Sequence, residues 1–174
     1  NKAVNEDADV IFCPVSITYS TQIVKLAASL GIEIPILGGD TLDSNMVLEA
    51  AAGSDVQLYV STFYQEGGSP EFDEGFKAWL KEDSARLTDN SNSEEISAVT
   101  ACGYDAYMTI YYALDKAQST DGATLRDALA ALDVPGLVTG DLKFDENGDA
   151  IKSYAIIKTA TTEGFVFADS VAIE

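Results

Sequence analysis

The first third of the chain alternates between short apolar runs and amphipathic segments. Residues 10–13 form a continuous apolar run, the pattern of a strand buried on both faces. Apolar residues then recur at helical spacing and stop at Gly31, which predicts a helix with a glycine C-cap. The buried face of that helix is predicted to comprise Ile23, Leu26, Ala27 and Leu30. A strand at 32–39, a helix at 46–53 and a strand at 56–63 follow, so the order predicts βαβ units and a parallel sheet.

The pattern changes after Phe63. Turn-forming residues at 65–70 precede predicted helices at 71–81, 96–117 and 124–132, with a polar loop at 88–95. The buried face of the long helix is predicted to comprise Val99, Gly103, Ala106, Ile110 and Leu114. The remainder is predicted to be β-structure, with Asn147-Gly148 as a strong hairpin signal. The fold class is therefore α/β.

Composition and charge narrow the functional classes. With 10 basic and 29 acidic residues among 174, the net charge is −19, which argues against nucleic acid or an anionic membrane as a partner. The sequence contains no histidine, so Ser-His-Asp and Cys-His catalysis and histidine-ligated metals are excluded. The two cysteines, Cys13 and Cys102, form no CxxC pattern. They are predicted to be buried free thiols, with a structural disulfide as the alternative.

Asp40 is the strongest candidate for a ligand contact. It follows a predicted strand and Gly38-Gly39, at the carboxyl end of a parallel strand, where ligands bind to open α/β sheets. The glycines would let backbone approach a small molecule, and the carboxylate can accept a charge-assisted hydrogen bond from an ammonium group. Alternatively, Asp40 caps a turn or the helix that begins near Asp43. The residues alone leave both interpretations open.

Two other polar clusters have simpler interpretations. Four hydroxyl side chains follow the first predicted strand: Ser16, Thr18, Ser20 and Thr21. They could bind a polar ligand, or one of them could cap the next helix. The acidic residues at 145–149 lack calcium-loop spacing, because Ala150 and Ile156 stand where glycine and glutamate are needed, so a solvated hairpin turn is predicted. The sequence predicts no metal site and no cofactor.

A series of motifs runs almost end to end through the chain: ADVIFCP, KLAASLGI, PILGGDTLDS, GYDAY, DALAAL, GLVTGDLKFDENGD and YAIIK. In this order they resemble the later half of the branched-chain amino-acid-binding (Leu/Ile/Val-binding) proteins, the type I periplasmic solute-binding proteins of ABC transporters. The resemblance implies two α/β lobes joined by crossing strands, with ligand between them. It assigns residues 1–63 to part of the C-terminal lobe, 64–153 to part of the N-terminal lobe, and 154–174 to the last strands, which return to the C-terminal lobe. The family's earlier segments are expected to lie outside this chain.

The resemblance also implies roles for single residues. Asp40 matches the acidic residue that receives the ligand's α-ammonium group. Ser16 stands where the family often has a tyrosine lining the cleft, and Val99 stands near a position that is often aromatic. Both departures suggest a wider or more polar pocket than one for leucine. Ile17 and Thr41, next to Ser16 and Asp40, complete the predicted ligand-binding set.

The resemblance implies an extracytoplasmic binding component of an ABC importer, not an enzyme, which carries an amino acid to a membrane permease. The protein would be periplasmic or at the cell surface, with or without a lipid anchor. One alternative is a ligand-sensing receptor or regulator domain of the same fold. Another is a small α/β enzyme using Asp40 or Ser16, although no activated-nucleophile pattern supports it.

Overall fold

The computed structural model describes residues 2–173. The elements in chain order are α1 (Lys2–Asn5), β1 (Ile11–Cys13), α2 (Ile17–Leu30), β2 (Ile36–Gly38), a 3-10 turn (Asp40–Leu42), α3 (Asn45–Ala51), β3 (Leu58–Thr62), α4 (Pro70–Lys81), α5 (Ser84–Asp89), α6 (Ala98–Ala117), α7 (Gly122–Ala130), β4 (Asp133–Leu137), β5 (Gly140–Lys143), β6 (Tyr154–Thr161) and β7 (Gly164–Ala172). The short helix α1 precedes β1.

The chain divides into two units. Unit 1 comprises the described residues up to Gln65 together with Ala155–Val171. Unit 2 comprises Glu66–Tyr154 and the described residues from Ala172 onward. Along the sequence, unit 2 therefore interrupts unit 1.

Unit 1 contains a five-stranded sheet in the order β1-β2-β3-β6-β7. Strands β1, β2 and β3 are parallel, with Cys13 opposite Gly38 and Gly38 opposite Val60. Strand β6 pairs antiparallel with β3 and places Lys158 opposite Val60. The parallel βαβ arrangement predicted for the first three strands is confirmed.

The core of unit 1 lies on one face of this sheet. Helices α2 and α3 pack there against alternate strand residues, and the buried cluster comprises Cys13, Val24, Ala27, Ile36, Leu42, Val47, Ala50, Leu58, Val60 and Phe165. The opposite face carries Phe12, which is 71% exposed, and Leu37. The prediction that the first strand is buried on both faces is therefore wrong, because both helices pack on the same side.

Helix α2 has the predicted periodicity but a different buried face. Its buried residues are Ser20, Val24 and Ala27. The predicted residues Ile23, Leu26 and Leu30 are exposed, so only Ala27 was correct. A face of small and β-branched residues lets the helix approach the sheet closely. The Ser20 hydroxyl is satisfied there by the Ile17 carbonyl at 2.9 Å.

Unit 2 consists of helices and a two-stranded β4-β5 ribbon. The buried face of α6 comprises Ala98, Ala101, Asp105, Thr109 and Ala113. The predicted face is wrong: Val99 is 65% exposed, and Gly103, Ala106 and Ile110 are exposed as well. The reason is Asp105, whose carboxylate accepts hydrogen bonds from the backbone of Val138 and from the backbone and hydroxyl of Thr139.

Two local predictions in unit 2 need correction. Helix α5 occupies the start of the predicted polar loop, because Asp83 accepts a hydrogen bond from the Ala85 amide and caps it. The hairpin lies between β4 and β5, whereas the Asn147-Gly148 turn closes only a single bridge between Phe144 and Ala150.

Neither cysteine forms a disulfide, as predicted. Cys13 is buried in β1, whereas Cys102 in α6 is only half-buried. The expectation that both thiols are buried is therefore correct for Cys13 alone.

Candidate ligand-binding site

Two loops of unit 1 lie side by side at the carboxyl ends of β1 and β2. The strands are parallel and in register at Cys13 and Gly38, so both chains leave the sheet at the same edge. The Thr41 hydroxyl donates to the Val15 carbonyl at 2.8 Å and joins the two loops. This bond brings Thr41 and Asp40 beside Ser16 and Ile17, four of the five predicted site residues.

Ser16 is the N-cap residue of α2, but its side chain makes no capping hydrogen bond. The other hydroxyls do not cap the helix either, since Ser20 and Thr21 both donate to the Ile17 carbonyl. Ser16 is exposed, and its hydroxyl has no partner among residues 2–173. Ile17 packs against the core and supports the loop from within. Thr18 is exposed as well and makes no side-chain hydrogen bond to the described residues, so Ser16 and Thr18 are the hydroxyls of this cluster that remain available to a solute.

Asp40 opens the 3-10 turn that follows β2, and it is exposed. Within the described part of the chain its carboxylate has no hydrogen-bond or ion-pair partner. Helix α3 is capped by Ser44, whose hydroxyl accepts from the Met46 amide. Asp40 therefore has no helix-capping role in this fold, and its carboxylate is available.

Gly38 has a structural role that the sequence interpretation missed. A Cβ atom placed on Gly38 would lie 2.1 Å from Cδ2 of Leu42, which is fully buried. The side chain of Leu42, and not a ligand, therefore occupies the space that this glycine provides. Gly39 has no neighbour within 4 Å of such an atom.

A buried ion pair lies beneath the Asp40 turn. Lys158 Nζ is 3.0 Å from Asp43 Oδ2 and 3.2 Å from Oδ1, and the Thr62 hydroxyl donates to Oδ2 at 2.8 Å. The side chains of Lys158 and Asp43 are each 3% exposed. Sequence reasoning missed this group because its partners are 115 residues apart. The available signal was a lysine within the apolar strand pattern YAIIKT.

Val99, the fifth predicted residue, lies in the first turn of α6 in unit 2. Unit 2 also contains a cavity of about 690 Å³ between α4, α6 and the end of β4. Its walls are largely aromatic: the ring centroids of Phe72 and Tyr104 are 5.1 Å apart. None of the five predicted residues lines it, and Glu71 is its charged lining residue. The cavity also has polar lining residues, including Ser69, Thr100 and Tyr112. The unit 1 loops remain the candidate site because they carry four of the five predicted residues at the carboxyl ends of parallel strands.

Comparison with known families decides the class of protein. The family model described as periplasmic binding protein matches residues 1–163. The chain belongs to the periplasmic binding protein family. No curated protein matched this periplasmic binding protein in sequence.

Solved structures of substrate-binding proteins share its fold. The leucine binding protein LivK of Thermotoga maritima superimposes with a TM-score of 0.81 at 23% identity, over 98% of this chain and 47% of that one. An ABC transporter substrate-binding protein from Desulfitobacterium hafniense in complex with Leu gives 0.70 at 26% identity, over 96% and 45%. An ABC transporter solute-binding protein from R. palustris in complex with benzoate gives 0.72 at 17% identity, over 99% and 47%. The predicted type I fold and the resemblance to the branched-chain group are confirmed.

This periplasmic binding protein spans about half the length of the solved structures it matches. Within residues 2–173, no helix combines the length and apolar character required to cross a membrane. The matching family model describes periplasmic binding proteins, and these neighbours are binding proteins as well.

Proposed function

We propose that this chain belongs to the extracytoplasmic substrate-binding component of an ABC importer and that the solute is an amino acid, branched-chain or related. The observation that carries the proposal is the exposed Asp40 carboxylate, which has no partner among the described residues and stands on a turn at the carboxyl edge of the sheet. The neighbour that binds Leu supports this ligand class.

The chemistry of Asp40 suits an ammonium group. An amino acid that enters a closed site loses the water around its ammonium, and a carboxylate opposite it restores the lost interaction. The Ser16 hydroxyl, in the adjoining loop, can accept or donate a further hydrogen bond. Thr41 contributes by holding the two loops together through Val15.

The remaining assignments belong to the same proposal. Residues 1–63 and 154–174 belong to one lobe and 64–153 to the other, Val99 contacts the solute, and a membrane permease receives it. The protein is periplasmic or at the cell surface. It acts as a receptor and not as an enzyme.

The test compares Asp40→Asn with the unchanged natural protein that contains this sequence. Calorimetry measures binding of leucine, isoleucine and valine. Removing one member of a buried charge pair costs roughly 2–5 kcal/mol, so we expect the dissociation constant to rise about tens to thousands of fold. Asp55→Asn is the matched control. Asp55 is an exposed aspartate of the same unit, but it precedes β3 and so lies at the amino ends of the parallel strands, opposite Asp40.

An unchanged affinity in Asp40→Asn would show that Asp40 does not receive the ammonium group. A natural protein that binds benzoate or 4-methylpentanoate, but no amino acid, would overturn the ligand class. The thermal midpoint of Asp40→Asn should equal that of the unchanged protein, because the turn is held by other residues.

A further inference from the structure

The turn that presents Asp40 is anchored at its far end by Asp43. The Asp43 amide donates to the Asp40 carbonyl at 3.0 Å, and the Leu42 amide donates to the Gly39 carbonyl at 3.0 Å. Asp43 therefore closes the turn with its backbone, while its side chain lies below the turn in the interior. The Asp43 backbone is thus bonded to the Asp40 backbone, so a side-chain anchor that fixes Asp43 also restrains Asp40.

The Asp43 carboxylate is fixed by donors from two different strands. Lys158 on β6 contacts both of its oxygens, and Thr62 at the end of β3 contacts Oδ2. Since β3 and β6 are neighbours in the sheet, the donors are themselves held by strand pairing. A buried charge without its partner is costly, so Asp43 cannot leave this position without leaving Lys158 uncompensated.

Stability alone does not account for the buried pair of Asp43 and Lys158. Well-packed apolar residues often replace a buried ion pair with no loss of stability, so stability alone is weak grounds for its presence. What the pair adds is a defined position, because a carboxylate held by three hydrogen bonds has little freedom to shift. Binding groups need such support to stay within a fraction of an ångström of their working geometry.

We propose that Lys158 is a positioning residue for the solute site: through Asp43 it fixes the turn that presents Asp40 to the ligand's ammonium group. This inference rests on the proposed function of Asp40. Lys158 touches no solute and acts only through Asp43 and the turn.

The test uses the double variant Asp43→Asn/Lys158→Met in the natural protein that contains this sequence. Removing both charges avoids an unpaired buried ion, so the variant should fold with a thermal midpoint close to that of the unchanged protein. Amide hydrogen exchange at Leu42 and Asp43 measures closure of the turn without any ligand. We expect faster exchange at these two amides and a dissociation constant for leucine raised about tenfold.

A thermodynamic cycle with Asp40→Asn distinguishes positioning from general damage. If the pair acts through Asp40, adding the double variant to Asp40→Asn should raise the dissociation constant by less than about twofold. The matched control is Asp133→Asn/Lys143→Met, which removes an exposed interstrand pair of unit 2 and should change neither readout. Thr62→Val, which removes a single hydrogen bond to Asp43, should give the same changes on a smaller scale and covers the case in which the double variant does not fold.

The outcomes separate this inference from the proposed function. Unchanged exchange at Leu42 and Asp43, or an affinity loss that is equal with and without Asp40, would overturn the role of Lys158. Asp40→Asn could leave affinity unchanged while the double variant still accelerates exchange. The assignment of Asp40 as the ammonium site would then be wrong, and so would the inferred role of Lys158 in ligand binding. The role of the ion pair in closing the turn would still be supported.

Discussion

Each unit buries an aspartate beside a turn, and the two aspartates are stabilised in different ways. In unit 1, Asp43 faces the ammonium of Lys158. In unit 2, Asp105 accepts hydrogen bonds at 2.7–2.9 Å from the Val138 and Thr139 amides and the Thr139 hydroxyl. The first arrangement ties a loop to a remote strand, and the second ties a helix to the turn of a nearby ribbon. A buried carboxylate therefore does not by itself reveal what kind of partner holds it.

The adjoining glycines differ in the same way. Gly38 is required because Leu42 fills the space of a side chain. Gly140, the first residue of β5 and next to Thr139, has φ of +95°, a backbone conformation that L-residues rarely adopt. Glycine is required by side-chain packing at Gly38 in unit 1 and by backbone conformation at Gly140 in unit 2.

The largest effect is expected from removing the cation alone. Lys158→Met leaves Asp43 buried without its counter-ion, which should lower the free energy of unfolding by about 3–5 kcal/mol. Denaturant unfolding followed by circular dichroism measures it. Adding Asp43→Asn should recover most of the loss; a loss below about 1 kcal/mol in the single variant would mean that water or another group compensates Asp43.

Asp105→Asn tests the second arrangement. An amide has only one acceptor oxygen and turns its own donors toward the ribbon, so we expect a loss of about 2–3 kcal/mol in unfolding free energy. Asp115→Asn, an exposed position on the same helix, is the control and should change little. Equal effects of the two substitutions would show that the hydrogen bonds from Val138 and Thr139 to Asp105 do not contribute to stability.

The glycine comparison predicts somewhat smaller losses. Gly38→Ala should cost about 1–3 kcal/mol through overpacking, and Gly140→Ala about 1–2 kcal/mol through backbone strain. Gly39→Ala should lie within about 0.5 kcal/mol of the unchanged protein. The cause can be checked in a double-mutant cycle, since Leu42→Ala should reduce the cost of Gly38→Ala and leave that of Gly140→Ala unchanged.

The two thiols report on each unit separately. Burial raises the pKa of the Cys13 thiol, so less thiolate is present near neutral pH. We expect Cys13 to react with a disulfide reagent more slowly than the half-buried Cys102 in the folded chain, and both to react when denatured. Lys158→Met should accelerate the reaction of Cys13 with the reagent while leaving the reaction rate of Cys102 unchanged. A count of zero thiols in the denatured protein would contradict the absence of a disulfide.

The smallest effect is expected at the exposed Asp145 turn. Hydrogen bonds from the Asp149 backbone first, and then from Asn147, hold the pKa of Asp145 below its ordinary value. A carboxyl group with a depressed pKa stabilises the fold above its unfolded pKa and loses that contribution as the pH falls through the folded one. Asp145→Asn should therefore remove a small part of the loss of stability in acid and change little at neutral pH. Thermal midpoints of both proteins, measured from neutral pH down into the acid range, test this.

Regular and local features were predictable from the sequence, whereas the buried polar contacts were not. The parallel strands followed from apolar runs and short loops, and the end of α2 at Gly31 followed from its C-cap. The buried faces of α2 and α6 were assigned from apolar residues alone, but Ser20 and Asp105 decided them. The pairing of Asp43 with Lys158 joins residues that no periodicity connects, since only the completed sheet brings them together.

The discontinuity of unit 1 has a consequence for the order of folding. Unit 2 is continuous in sequence from Glu66 to Tyr154, whereas the sheet of unit 1 is completed only when β6 returns after that segment. Contacts that are distant along the chain form late, because the entropy of closing the intervening loop is lost before they are made. Collapse of unit 2 shortens that loop. A substitution that slows the folding of unit 2 would therefore delay pairing of β6 with β3 and leave Asp43 without its counter-ion in folding chains. The earliest measurable effect would be slow formation of the Asp40 turn.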